Sequence, residues 1–455
     1  CCDSENNFYY LLRHSLLNYL FFLDEKEFQD LLQSMKTNLL KTEFSDLFRK
    51  HIIVPEKYKE NKFVEDIIKI SNINNPSFGL FYLIFDTSCN LNCKYCYVEG
   101  SIKPNFKREV MDENKLNQAF LFLEQFISEG LKKGFVNKKI SFIFYGSEPL
   151  MHPNLFSLSL IKIIELSNKL NITIEKQLVT NATLITKDIA KLLKENNISV
   201  SVSLDGKKEI NDQMRFFHDK NGSFDEVMKG IDNLNKEGVS FNISCTIGPH
   251  NINCLKENVN FFKSTGASGI GFNIFLDSKF RKIPKVSLYE VNKSLFDIFY
   301  FLDDGGFFES RVGRKVKSFN NFGGIHFKDC GAYGNQIVFF PNGDIGLCQG
   351  YLGYRKHLIG NINNSNFKNI IQSNVLKRWI NRSPINIKFC RYCPALGICG
   401  GGCLFSTEIN YGDIDYRNKF FCLHTLMSLD WLINESLKKK FRDNFYIKDV
   451  TFLFN

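Results

Sequence analysis

Six apolar runs alternate with helix-like stretches between residues 80 and 276 of this 455-residue chain. The apolar runs lie at 80–86, 140–145, 172–179, 198–204, 240–247 and 269–276. The helical stretches between them lie at about 113–133, 153–169, 187–196, 223–237 and 252–264. Repeats of this length predict parallel strands joined by crossover helices. We therefore expect an α/β fold with its chemistry at the carboxyl ends of the strands.

Three cysteines follow the first apolar run at short intervals. Cys89, Cys93 and Cys96 lie in the stretch Asp-Thr-Ser-Cys-Asn-Leu-Asn-Cys-Lys-Tyr-Cys-Tyr. Three thiolates at this spacing can hold three irons of a four-iron cluster and leave the fourth iron without a protein ligand. An iron with an open coordination position is a place for chemistry, as an incompletely coordinated zinc ion is.

Seven further cysteines with metal-like spacings lie in the last third of the chain. They are Cys330, Cys348, Cys390, Cys393, Cys399, Cys403 and Cys422. A Cys-X-X-Cys pair with later cysteines also suits tetrahedral zinc, but seven ligands divide badly into zinc sites of four. The other four, Cys1, Cys2, Cys245 and Cys254, are predicted to be terminal or packing residues, since a free cysteine behaves as a small buried hydrophobe.

Composition limits the compartment and the partners. No run of eighteen apolar residues occurs, so no segment is predicted to span a membrane. The N-terminus lacks the basic-then-apolar order of a secretory signal, and we expect a reducing cytoplasm, where cysteines serve metal or catalysis. The net charge of +10 is spread over lysines, as on a solvated surface. Without an arginine-rich tract, no nucleic-acid partner is expected.

The Cys89 stretch resembles the signature of the radical S-adenosylmethionine (SAM) enzymes. After the second apolar run comes Gly146-Ser147-Glu148-Pro149, which is similar to that family's Gly-Gly-Glu-Pro, with Ser147 in place of the second glycine. The resemblance implies a partial (β/α)6 TIM-like barrel, in which the open iron chelates the amino and carboxylate groups of SAM. The three cysteines would be catalytic, since the cofactor supplies a 5′-deoxyadenosyl radical that takes hydrogen from an unactivated carbon.

The same resemblance assigns residues to a SAM pocket. Ser203 and Arg215 lie twelve residues apart, as in related enzymes that bind SAM through a serine and an arginine. A guanidinium makes a bidentate, charge-assisted pair with a carboxylate, so Arg215 is expected to hold the SAM carboxylate. The remaining predicted SAM-binding residues are Tyr95, Gly146, Ser147, Glu148, Asn181 and Asp205. Taken separately, Asn181 or Asp205 would be interpreted as a strand-end cap.

The seven later cysteines resemble, in order and spacing, the SPASM extension of radical SAM enzymes. The resemblance implies two auxiliary [4Fe–4S] clusters, and three clusters in all. Cys390, Cys393, Cys399 and Cys422 would hold the outer one, and Cys330, Cys348 and Cys403 the inner one. Fully ligated relatives carry a further cysteine where this chain has Gly324, so the inner cluster should have an open iron. That iron would bind a substrate thiolate; the alternative is a site filled by water or a small thiol in a cluster that only relays electrons.

The leading functional hypothesis is a maturase that forms a cysteine thioether crosslink in a ribosomally synthesised precursor peptide. Carbon–carbon (cyclophane-type) crosslinking, peptide epimerisation and anaerobic sulfatase maturation are the alternatives. Sulfatase-maturating relatives place an aspartate base directly after the cysteine equivalent to Cys348, where this chain has Gln349. A non-catalytic electron carrier is disfavoured because it would need no SAM clamp. The expected reductant is a flavodoxin or a ferredoxin.

Five regions are predicted. They are a small α+β N-terminal domain (1–75), the barrel (76–285), a helical bridge (286–324), the loop-rich SPASM domain (325–430) and a C-terminal tail (431–455). Small loop-rich units usually need metal to hold together, which fits the fourth region. The first region could bind a leader peptide by strand-edge pairing, or could be an accessory cap.

Overall fold

A computed structural model describes residues 2–3, 9–37, 44–50, 52, 60–71, 73–97, 107–275, 286–303, 307–320, 326–441 and 445–446. The strands are β1 (Cys2–Asp3), β2 (Tyr9–Arg13), β3 (Leu20–Asp24), β4 (Phe78–Leu83), β5 (Val136–Phe144), β6 (Thr173–Thr180), β7 (Ile198–Ser203), β8 (Phe241–Ile247), β9 (Gly269–Ile274), β10 (Phe308–Glu309), β11 (Gln336–Phe339), β12 (Asp344–Gly346), β13 (Leu358–Asn361) and β14 (Phe445–Tyr446).

The helices alternate with the central strands and then continue into the C-terminal region. They are α1 (Glu25–Thr37), α2 (Ser45–Arg49), α3 (Glu60–Ile70), α4 (Glu113–Lys133), α5 (Pro153–Leu170), α6 (Lys187–Glu195), α7 (Lys208–Met214), α8 (Phe224–Lys236), α9 (Leu255–Ser264), α10 (Leu288–Asp303), α11 (Ser310–Phe319), α12 (Phe367–Gln372), α13 (Asn374–Asn381), α14 (Leu404–Tyr411) and α15 (Lys419–Phe441).

One large sheet organises the molecule. Its strand order is β10-β9-β8-β7-β6-β5-β4-β11-β12-β13, and the six strands from β4 to β9 are parallel neighbours. The predicted α/β fold with a partial barrel is therefore confirmed, since the two ends of this sheet do not pair within the described ranges. The carboxyl ends of parallel strands meet at one edge, which is where the cysteine loop after β4 lies.

The C-terminal cysteine-rich region is joined to the barrel by a strand pairing that the sequence did not indicate. β11 lies parallel to β4, with Gln336 opposite Leu80 and Phe339 opposite Leu83. β12 and β13 then extend the sheet antiparallel. This pairing places the cysteines on either side of β11 beside the loop that follows β4.

Aromatic side chains fill the layer between the sheet and its outer helices. The Phe81 ring of β4 lies 5.5 Å from Phe142 of β5 and 6.5 Å from Phe126 of α4. Further along β5, on the same face as Phe142, Phe144 packs edge-on against Phe156 of α5 at 4.6 Å. Burial of a large aromatic side chain contributes about 1.5–3 kcal/mol, so this layer holds the strand ends in place.

The terminal regions match the sequence expectations in part. The apolar stretches at 9–12 and 19–23 suit short strands or an apolar helix, and the structure shows strands, since β2 and β3 form an antiparallel hairpin. The pattern at 41–50 predicts an amphipathic helix, and α2 (Ser45–Arg49) lies within it, while residues 41–43 are outside the described ranges. The stretch at 446–450 suits a strand, and its first residue belongs to β14, which pairs with β1; residues 447–455 lie outside the described ranges.

Domain boundaries stay predictions. Helix α15 is continuous through position 430, where one boundary was expected. Cys1 and Gly324 fall outside the described residues. None of the helices in the described ranges is long and apolar enough for a transmembrane span.

Candidate active site

The Cys89–Cys96 loop is held at the end of β4 by a buried aspartate. Asp86 accepts hydrogen bonds from the Ser88 amide at 2.8 Å and from Arg108 Nε at 3.1 Å, and His152 Nε2 lies 2.7 Å from its carboxylate. Ser147 Oγ donates to the Asp86 carbonyl. The loop therefore has a fixed start, and Ser147 belongs to its support.

Two of the three cysteine groups line one cavity of about 530 Å³ at the carboxyl ends of the strands. The six thiols are Cys89, Cys93, Cys96, Cys330, Cys348 and Cys403. Pockets of roughly 300–1,000 Å³ are typical of small-molecule and cofactor sites. The cysteines from Cys89 to Cys422 form no disulfide with one another.

The structure brings together cysteines that the resemblance places in the same later group, and their role as ligands stays a prediction. Burial raises the pKa of Cys348, and the neighbouring Cys403 and Cys330 raise it further. Burial likewise raises the pKa of Cys390, and Cys422 raises it further. The four outer cysteines do not line the cavity. Protonated thiols in a buried site become ligands by releasing protons to solvent when metal binds.

Arg215 lines the cavity and is paired from behind by Asp205. Its Nε lies 3.1 Å from Asp205 Oδ2, and its guanidinium stacks 5.2 Å from the Tyr95 ring centre. The Tyr95 hydroxyl also donates to Asp205. Burial would raise the pKa of Asp205, but Arg215 and the other donors lower it to about 2. Asp205 is fully buried and orients both Arg215 and Tyr95.

Glu148 has a similar supporting position. It is buried, accepts hydrogen bonds from Thr180 Oγ1 at 2.8 Å and the Asn181 amide at 2.7 Å, and is absent from the cavity lining. Burial raises its pKa to about 7. The side chain of Asn181 is also engaged, since its Nδ2 donates to Asn90 Oδ1 at 2.8 Å in the cysteine loop.

The other predicted SAM-binding residues lie where the sequence placed them. Gly146, Ser147, Asn181, Ser203 and Tyr95 all line the cavity. Gly146 has φ of 116°, and a Cβ there would lie 2.6 Å from Ile84 Cγ2, so only glycine fits. At Gly146 the main chain, without a side chain, therefore forms part of the cavity wall.

Several cavity residues were not foreseen from the sequence. Arg311, Arg314 and Lys315 of α11, His424 of α15 and the Tyr97–Tyr145 pair, whose hydroxyls are 2.7 Å apart, all line it. Tyr97 and Tyr145 stood inside motifs already noted. Arg311, Arg314 and Lys315 belong to no sequence motif. The only sequence signal for them is the i, i+3, i+4 spacing of three cations on a predicted helix.

The donor set fits iron–sulfur clusters and SAM. Soft thiolates in groups of three and four suit iron–sulfur clusters. A guanidinium and bare backbone at the cavity wall suit the carboxylate and amino groups of an amino-acid ligand. The residues present thus fit the implied groups.

Comparison with known proteins decides the family. Residues 83–262 match the Radical SAM superfamily, and residues 330–394 match SPASM, an iron–sulfur cluster-binding domain. A cysteine-type anaerobic sulfatase-maturating enzyme of Clostridium novyi is 31% identical over 349 residues, which cover 74% of this chain and 90% of that protein. The chain is a radical SAM enzyme with a SPASM domain.

Two further similarities span more of this radical SAM enzyme. The radical SAM cyclopropyl synthase TigE of Paramaledivibacter caminithermalis is 26% identical over 446 residues, covering 92% of this chain and 88% of that protein. The crystal structure of Streptococcus suis SuiB bound to precursor peptide SuiA superposes with a TM-score of 0.57 at 16% identity, covering 92% of this chain and 99% of that chain. The latter similarity shows a shared fold.

Proposed function

We propose that this radical SAM enzyme matures a ribosomally synthesised precursor peptide by forming a cysteine thioether crosslink. The observation that carries the proposal is the single cavity lined by both Cys89, Cys93 and Cys96 and the inner group of Cys330, Cys348 and Cys403. A peptide that enters this cavity would lie near the proposed SAM-binding cysteines, where hydrogen is abstracted. Its cysteine sulfur would also lie near the inner group, which is proposed to bind thiolates. SuiB, which shares the fold, has been solved with a precursor peptide.

The proposed cofactors are SAM and three [4Fe–4S] clusters. Cys89, Cys93 and Cys96 would hold the SAM-binding cluster, with the inner and outer auxiliary clusters on the two later groups. When bound, these groups supply a 5′-deoxyadenosyl radical and auxiliary electron acceptors. The chain's own contribution is orientation: Arg215, fixed by Asp205, would hold the SAM carboxylate, and the aromatic wall of Tyr97 and Tyr145 excludes water.

The overall reaction has a defined balance. Joining a C–H carbon to an S–H sulfur removes two hydrogen atoms from the peptide. One is transferred as an atom and ends in 5′-deoxyadenosine, and the other leaves as a proton and an electron. A flavodoxin or ferredoxin would supply the electron that cleaves SAM.

A second candidate function is anaerobic sulfatase maturation. The 31% identity with the Clostridium novyi enzyme favours it. Against it stands Gln349, a neutral amide that lines the cavity and lies 3.4 Å from Gln336 Nε2, at the position where a carboxylate base is expected in that class. An amide side chain cannot accept the proton that the carboxylate would take.

The N-terminal hairpin is the proposed contact for a leader peptide. β2 and β3 form a two-stranded antiparallel sheet, in which each strand has an outer edge opposite the one that faces its partner. An extended peptide can add a strand to such an edge through main-chain hydrogen bonds. Removing the leader from a precursor peptide should then weaken binding without changing the chemistry of the core segment.

Anaerobic turnover with SAM and a reductant tests the proposal. The substrates are cysteine-containing peptides encoded next to the gene and, separately, a sulfatase-derived cysteine peptide. A peptide that loses two hydrogen atoms and no longer reacts with a thiol-alkylating reagent supports a thioether. Loss of the cysteine sulfur from the sulfatase peptide supports the second candidate. 5′-Deoxyadenosine formed with neither change contradicts both, and Cys93→Ala is the negative control.

A further inference from the structure

One face of α11 carries three positive side chains towards the cavity. Arg311, Arg314 and Lys315 are spaced i, i+3 and i+4, and all three line the cavity. Lys317, on the same helix, is exposed and does not line it. The face is therefore a local feature of the site and not part of the general lysine surface.

Lys315 connects segments that belong to different cysteine groups. Its Nζ lies 3.2 Å from Asp329 Oδ1 and donates to the Ile398 carbonyl at 2.7 Å, and its side chain is only 7% exposed. Asp329 precedes Cys330 of the inner group, and Ile398 precedes Cys399 of the outer group. A single buried ammonium group thus contacts the neighbours of both.

Asp329 extends the connection to a third loop. Its Oδ2 accepts from the Gly402 amide at 2.9 Å, next to Cys403, and its own amide donates to the Gly400 carbonyl at 2.9 Å. A Cβ at Gly400 would lie 2.1 Å from the Asp329 nitrogen, so the two loops touch through backbone. The Lys315–Asp329 pair therefore fixes the cysteine loops of the inner and outer groups relative to each other.

The two arginines of this face lie beside the inner group. Arg311 and Arg314 line the cavity together with Cys330 and Cys403, and Arg314 Nη1 donates to the carbonyl of Asp329, the residue before Cys330, at 3.5 Å. Arg311 Nε donates to the Phe272 carbonyl at 2.6 Å. The carboxylates of Glu309 and Asp329 lie near Arg311 and partly offset its charge, and Arg314 is exposed to solvent.

We propose that the cationic face of α11 sets the reduction potentials of the two auxiliary clusters, with Lys315 shared between them and Arg311 and Arg314 acting on the inner one. The inference rests on the cluster content given under Proposed function. A reduced cluster carries one more negative charge, so a nearby buried cation stabilises it and raises its potential. Solvent and salt screen buried charges far less than surface charges.

The test is an EPR-monitored redox titration of the anaerobically reconstituted full chain, without peptide. The variants are Lys315→Met, Arg311→Gln and, as the matched control on the same helix, Lys317→Met. Cys403→Ala and Cys390→Ala assign the inner and outer signals. Lys315→Met should shift both auxiliary potentials to more negative values, Arg311→Gln should shift the inner one alone, and Lys317→Met should shift neither.

Two results would overturn the inference. The first is a fully iron-loaded Lys315→Met protein in which both auxiliary reduction potentials are unchanged. That result would show that Lys315 only supports the loops and does not affect the potentials. The second result matters if the Lys315→Met protein does not assemble its clusters. In that case, an unchanged reduction potential of the inner cluster in Arg311→Gln contradicts the proposal. Wild-type protein with the SAM cluster as its sole cluster would instead refute the cofactor content under Proposed function.

Discussion

Replacing Arg215 with alanine separates the charge pair that supports the SAM pocket. The Arg215 and Asp205 side chains are 9% and 0% exposed, and Nε lies 3.1 Å from Oδ2. After the replacement, the Asp205 carboxylate keeps the Tyr95 hydroxyl, the Thr246 amide, which donates at 2.9 Å, and His250, whose Nε2 lies 3.5 Å from Oδ2. A buried carboxylate would then lack its main counter-charge.

The expected cost follows from this burial. The lowering of the Asp205 pKa from 3.8 to about 2 corresponds to about 2 kcal/mol in favour of the charged form. That figure is already net of a burial penalty that the arginine offsets, so losing the arginine costs more. We expect Arg215→Ala to lower the free energy of unfolding by about 3–5 kcal/mol, as for other broken buried pairs.

Arg378→Ala is the matched control. Arg378 pairs with Asp413 at 2.5 Å and with Asp415 at 2.7 Å, but its side chain is 43% exposed. Exposed pairs are worth about 0–1 kcal/mol because solvent screens them. The same chemical change at this position should therefore have a small effect.

Urea unfolding of equally iron-loaded proteins and equilibrium dialysis of SAM measure the two effects. SAM affinity of Arg215→Ala should fall by about 1.5–3 kcal/mol, the value of a charged hydrogen bond, which is roughly tenfold to a hundredfold. Arg378→Ala should bind SAM as the wild type does. Equal losses of stability in the two variants, or unchanged SAM affinity in Arg215→Ala, would refute the reasoning.

Three further predictions concern other parts of the site. Cys93→Ala should abolish 5′-deoxyadenosine formation while auxiliary iron is retained in metal analysis; continued SAM cleavage would remove Cys93 from the proposed ligands. Gly146→Ala should lower the free energy of unfolding in urea by about 1–3 kcal/mol. Gly134→Ala should lower it less, because Gly134 also has positive φ but has open space where a Cβ would lie. Similar unfolding midpoints of the two variants would contradict the steric argument. Burial raises the pKa of Glu148 from 4.5 to about 7, so its contribution to the free energy of unfolding is present below pH 4.5 and is lost as the pH rises through about 7, by about 3 kcal/mol. Glu148→Gln should lack this pH-dependent loss. Parallel stability–pH profiles of the wild type and the variant would contradict this prediction.

Local patterns predicted the barrel well. The helix expected at 113–133 is α4, and the apolar runs from 140 to 276 became β5 to β9 within a few residues. Asp112 accepts from the Lys115 amide at 2.7 Å and so caps α4, a start signal written in adjacent residues. These elements could be predicted because periodicity and capping depend on neighbours in the chain.

The site was predictable in its residue types and less so in their roles. The resemblance divided the ten cysteines into three groups, and the structure brings the first group and the inner group to one cavity. Glu148 and Asp205, which the resemblance assigns to SAM binding, are buried and bonded to Asn181 and Arg215, and their contact with SAM stays a prediction. A motif shows which residues lie at a strand end, but packing determines which atoms face the cavity.

The sequence by itself determined the order of strands and helices, the three cysteine groups and the family to which the chain belongs. Tertiary structure alone decided that β11 pairs with β4 and that Lys315 meets Asp329 and Ile398. Such contacts join residues far apart in the chain, and their free energy comes from burial and closure of long loops. No local spacing records them, so they emerge only when the whole core is packed.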